Sequence, residues 1–293
     1  MSTGKDENYA FERLFFDPST NAHINKRINL PFLTNLDKVD LAQTERDELI
    51  DLILHLCKKL ATTWRHLDAY RREEVELVAR AKATPLRVEG TRTGFDCSDE
   101  LYAEFDGFLV QLKSSLDYLA HIPRPVFGPG WRPYTFGDKG GALIKRLKSN
   151  GPKRFQESIP FLCDLISRNQ PWLQEAIDLR DKVNHFQRGG VPYKFFRVDK
   201  VERGGKEVVR VPMWTEEESV SEALSDIWRQ LVCFTETFIG ATLFMRLTPY
   251  WSVKYTHNED EGEWEADDEA ENRRWEFTVN LDALGASTED PSE

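Results

Sequence analysis

The sequence predicts a mainly α protein: an antiparallel helical bundle with a β-hairpin appendage and a short C-terminal pair of strands. Three observations carry this. Apolar residues recur at steps of three and four through long stretches free of Pro and Gly, which is the period of a helix with one buried face. Strand-like alternation is confined to a few short runs. Turn-forming residues are concentrated, with four Pro and five Gly between Ile122 and Gly141, so they punctuate long elements without interrupting them.

Residues 1–36 read as an irregular N-terminal extension containing one short amphipathic piece, Tyr9 to Phe16, whose apolar residues strap onto the body. From Leu36 to Ala83 a helical pattern runs through Leu49, Ile53, Leu56, Leu60, Leu67 and Tyr70, the spacing of a bundle or coiled coil. Arg71-Arg72-Glu73-Glu74 is a solvated face or a break between two helices, and Pro85 closes the element. Asp96 to His121 forms the next helix, capped by Ser98 or Asp96 and striped by Leu101, Phe105, Phe108, Leu112, Leu116 and Leu119. After the Pro/Gly-rich loop come two short helices, Ala142 to Ser149 and Lys153 to Arg168, and then a helix from Pro171 to Arg188 ended by Gly189-Gly190. Tyr193–Val198 and Glu207–Met213 form the hairpin, turned at Arg203-Gly204-Gly205-Lys206. Thr215 with Glu218 is a capping box for a helix from Glu216 to Leu247. Trp251, Val253 and Tyr255 alternate, as do Trp275, Phe277, Val279 and Leu281, so these two runs pair around an acidic loop, Asn258 to Asn272. The domain plan is a 1–36 extension, a helical domain 37–248 with hairpin 193–213, and an acidic segment 249–293 that is partly strand and partly disordered.

Composition narrows the function. Four cysteines, Cys57, Cys97, Cys163 and Cys233, lie far apart and read as reduced thiols of a cytoplasmic protein, without a disulfide framework or zinc spacing. No basic start followed by an apolar run opens the chain, so no signal peptide is expected. Leu231 to Leu247 is short for a membrane span and contains Glu236, so a buried helix is expected and no membrane partner. The net charge is −11, but Asn258 to Glu293 holds 14 acids and 2 bases, leaving the body near neutral. Between Lys145 and Arg197 there are 11 bases and 5 acids. That basic region surrounds the helix that begins at Pro171.

That helix is also where chemistry is expected. Leu173, Ala176, Ile177, Leu179, Val183 and Phe186 share one apolar arc. Arg180 and Asn184 fall inside the arc, and Asp181 and His185 on its border. A guanidinium and an amide on a packing face require partners or a cleft. Lys113, Ser114 and Asp117 cluster beside the stripe of the Asp96–His121 helix. Nucleotide-cradling glycine motifs and the Gly-x-Ser-x-Gly elbow are absent from the sequence. His55 and His66 are ~16 Å apart along one helix and cannot share a metal.

The run Arg180-Asp181-Lys182-Val183-Asn184-His185 resembles the Arg-x4-His motif of the HEPN superfamily, with a polar residue after the Arg as in many members. Glu104 to His121 is similar to the partner helix of such proteins, and the resemblance extends over roughly residues 41–247. It implies a metal-independent endoribonuclease of the toxin or phage-defence kind, needing no cofactor and acting as a homodimer with two motifs facing each other. Attack of an RNA 2′-hydroxyl on the adjacent phosphate needs proton transfer and charge stabilisation. His185 titrates near neutrality and suits the first. Arg180, always charged and bidentate, suits the second. Asp181 fixes an imidazole tautomer or pairs with Arg180; Asn184 orients His185 or binds phosphate; Asp117 and Lys113 support from the facing helix. Beside this stand three other readings. Arg180 bridges to Asp117 or Glu104 as a structural ion pair; the domain is a non-catalytic RNA- or protein-binding module; or the chain is a helical scaffold whose acidic tail docks a basic partner. That tail also suits competition with RNA phosphates for a basic groove, or keeping a toxic nuclease from binding nonspecifically, and a regulatory protein is a further expected partner.

Overall fold

The computed structural model describes residues 24–84, 93–132, 135–184, 191–203, 206–249, 251–255 and 275–279. It is mainly helical. The long elements are α1 (Gln43–Ala83), α2 (Asp99–His121), α3 (Gly141–Asn150), α4 (Ile159–Asn184) and α5 (Val220–Phe244). Strands β1 (Thr93–Cys97), β2 (Arg197–Arg203) and β3 (Lys206–Arg210) form one antiparallel sheet in that order, and β4 (Trp251–Tyr255) pairs with β5 (Trp275–Val279). The chain divides into two compact units, each built from several segments: residues 1–58, 117–168 and 234–293 in the first, 59–116 and 169–233 in the second.

In the first unit, Ile24, Ile28 and Phe32 are buried at steps of four, because the segment expected to be irregular forms a helical turn, Asn25–Asn29, that runs into a short helix at Leu30–Leu33. The expected apolar strap is therefore helical. Tyr9–Phe16 lies outside the described residues. The segment after the strap is tied to the end of α5 by backbone hydrogen bonds, Asp40 N–H to Arg246 O at 2.7 Å and Thr248 N–H to Lys38 O at 3.0 Å. Glu236 of α5 is 1% exposed and receives the guanidinium of Arg27, itself 5% exposed, with Nε donating at 2.8 Å. This accounts for the acid within the apolar run Leu231–Leu247. Among the described residues no helix is long and apolar enough to cross a membrane. The two alternating runs pair as β4 and β5, antiparallel, with Trp251 opposite Val279 and Tyr255 opposite Trp275.

In the second unit, α1 and α2 run antiparallel, as their paired residues show: Lys59 with Gln111, His66 with Glu104, Glu73 with Ser98. The Arg71–Glu74 run does not break α1, which is one helix of 41 residues. Its C-terminal carbonyls are capped by a buried lysine, Lys200 of β2, which donates to Thr84 O at 2.6 Å and Ala81 O at 3.3 Å. Two further differences from the sequence reading have local causes. Thr93–Cys97, not read as a strand, pairs with β2 from Thr93 opposite Val201 to Cys97 opposite Arg197, so the hairpin is two strands of a three-stranded sheet. Ser98, freed at the strand's end, caps α2 by accepting from Leu101 N–H at 3.2 Å. The capping box of α5 is Ser219 with Glu222, which exchange bonds at 2.9 and 3.2 Å. Thr215 instead accepts from Glu217 and Glu218 N–H in a turn before the helix.

Candidate functional site

Helix α4 carries the predicted site at its C-terminal end. The expected start at Pro171 is not a start: the helix runs unbroken through it for 26 residues. The stripe Ile159, Leu162, Ile166, Leu173 and Ile177 is buried on both sides of the proline, and a continuous buried face outweighs one missing N–H. Trp172 Nε1 donates to Asn169 Oδ1 at 2.8 Å across the same turn.

At the site, Leu173, Ala176, Ile177 and Leu179 are buried, while the Arg180 side chain is 31% exposed. The arc read from the sequence is buried from Leu173 to Leu179, and Arg180 sits at its rim. The Arg180 Nη1 donates to Asp181 Oδ1 at 3.0 Å. Glu104, one proposed partner, holds His66 instead. Asp117 Oδ1 accepts from the backbone N–H of Phe136 at 2.7 Å. Lys113 is half-buried on α2. Asn184 is the last residue of α4, and His185 lies outside the described residues. The structure thus brings Arg180 and Asp181 together. Among the described residues no group of His, Cys, Asp and Glu could hold a metal ion.

The sequence reading missed a second polar arrangement in the same unit. Lys59, His66, Glu73 and Arg80 stand at strict seven-residue steps along α1. Each bonds at the edge of the helix pair: Lys59 to Gln111 at 3.2 Å, His66 Nδ1 to Glu104 Oε2 at 2.7 Å, and Glu73 to both Ser98 (2.9 Å) and Arg80 (3.0 Å). His66 sits where Gly107 leaves room, since a Cβ there would lie 2.4 Å from the imidazole Cε1. The signal was legible: four polar residues at heptad steps on a helix otherwise striped with leucine mark a seam.

Comparison with protein-family models, curated proteins and solved structures finds no match.

Proposed function

We propose that the chain is a HEPN-like, metal-independent endoribonuclease of the toxin or phage-defence kind, cytoplasmic and homodimeric, with Arg180 and His185 at its centre. One observation carries the reading. Arg180 closes a row of buried residues on a core helix, yet its guanidinium is partly open to solvent and lies five residues before the histidine. A cation held at the rim of a packed face is placed to receive a phosphate without a large desolvation cost. In this mechanism Arg180 binds the scissile phosphate and stabilises the charge that develops on it. His185 takes or returns the proton of the 2′-hydroxyl and leaving oxygen. In this reading two copies of the motif, one from each protomer, face each other and complete one composite site. Asp181 holds the guanidinium until phosphate displaces it. That same ion pair favours the second reading, a non-catalytic HEPN-like module binding RNA or a protein, in which Arg180 stays paired.

Incubation with total RNA in EDTA separates the two. The expected result is cleavage by the wild type that is lost in both Arg180→Ala and His185→Ala, with helical content by circular dichroism unchanged. Tight RNA binding without cleavage by the wild type establishes the module. Neither cleavage nor binding removes RNA from the account.

A further inference from the structure

The first unit carries a cationic surface that the Arg180 site does not use. From Ile122 to Cys163 the chain has eight bases and two acids. One of these bases, Arg124, is matched with Glu48, and outside the stretch Arg27 is matched with Glu236, Arg168 with Asp164 and Arg246 with Glu45. Lys145, Lys148 and Lys153 are exposed, and none of the three has an ion pair among the described residues. Helix α3 turns Leu143 and Leu147 into the core and leaves Ala142, Lys145, Lys148 and Ser149 outward. The chain then turns at Gly151, whose N–H bonds Leu147 O at 3.0 Å. A Cβ there would lie 2.5 Å from the backbone carbonyl oxygen of Leu147, so glycine is favoured at the turn. The turn brings Lys153 and Arg154 in directly after the helix. Arg154 is fixed: its guanidinium lies 4.6 Å over the Phe155 ring and donates to Val126 O at 3.2 Å, while Phe155 stacks on Phe127 at 5.6 Å.

Lysines three apart on a helix repel one another, and a row of them without carboxylates keeps a counterion atmosphere that a polyanion releases on binding. A bilayer-binding helix presents its large apolar residues outward; α3 buries its own, so its exposed face suits a hydrophilic polyanion. We infer that Lys145, Lys148, Lys153 and Arg154 form a docking surface for the phosphodiester backbone of RNA, holding the substrate at a place other than the reacting phosphate. The inference rests on the RNA reading above. Its contacts are to phosphate alone, so it contributes affinity and salt dependence without sequence preference.

The test uses the full chain and a fluorescein-labelled single-stranded RNA of about 20 nucleotides, with anisotropy titrations from about 50 to 300 mM KCl. In Lys145→Gln/Lys148→Gln/Lys153→Gln the slope of log affinity against log salt falls in magnitude by about 2, since each single-strand phosphate contact contributes ~0.7. Affinity at low salt drops at least tenfold. An unchanged slope in the triple variant, with the wild type cleaving RNA, overturns the surface and leaves the enzyme reading standing. Salt-dependent, lysine-dependent binding by a wild type that never cleaves upholds the surface and removes the enzyme reading. Lysine-dependent binding to phosphatidylserine vesicles but not to RNA overturns the surface as an RNA site and assigns it to a lipid.

Discussion

Arg27 and Arg180 are both guanidiniums set among apolar neighbours, and the protein treats them in opposite ways. Arg27 is 5% exposed and locked to a carboxylate 209 residues away that is 1% exposed. Arg180 is 31% exposed and paired with the residue beside it. A buried pair is stabilising only while both members are present, because removing one leaves a charge that cannot be hydrated. A rim pair between adjacent residues contributes little, because water screens it. Arg27–Glu236 therefore fixes the N-terminal strap to α5, whereas the Arg180–Asp181 pair lies where water reaches it.

The largest effect is expected from Glu236→Gln, which should lower unfolding free energy by about 3–5 kcal/mol in urea denaturation. A loss below about 1 kcal/mol would erase the distinction between the two pairs. Next comes Gly107→Ala. His66–Glu104 is as exposed as Arg180–Asp181, 29% and 31%, but His66 fills a notch with no space for a Cβ. A loss of about 1–3 kcal/mol is expected from overpacking; no loss would mean that exposure alone decides what such pairs contribute.

Glu74 offers an intermediate case. Burial pushes its carboxyl above the usual range, with Glu222 adding to the effect and the hydrogen bond from Ser221 and the charge of Arg71 opposing it. An acid with a raised folded-state pKa favours folding while protonated and loses that contribution as pH rises through the raised value. Glu74→Gln should thus gain stability relative to wild type at neutral pH, with the gap closing toward pH ~4. A gap independent of pH across that window would show that Glu74 is solvated like Arg180. The smallest change is expected from Arg180→Ala itself, within about 1 kcal/mol of wild type by the same denaturation. A larger loss would make Arg180 a structural residue and weaken its assignment to chemistry.

Much of the fold was legible because helix and strand periods are local. The stripe on α1, the pairing of β4 with β5 and the buried character of the Glu236 helix all follow from side-chain spacing. Boundaries that depend on distant partners were not. β1 exists because β2 offers it a ladder, and Ser98 becomes a cap only where that strand ends. The proline inside α4 is overridden by a buried stripe on both sides. At the site, the arc containing Arg180 follows from 100° steps, and the polar row through His66 follows from seven-residue steps.

The sequence by itself determined which residues share a face, because angular position on a helix is a property of spacing alone. How deep each of them lies, and which carboxylate meets which cation, was decided only by the tertiary structure. Depth depends on what packs opposite, and the partners of Arg27, His66 and Lys200 stand 209, 38 and 7 to 119 residues away.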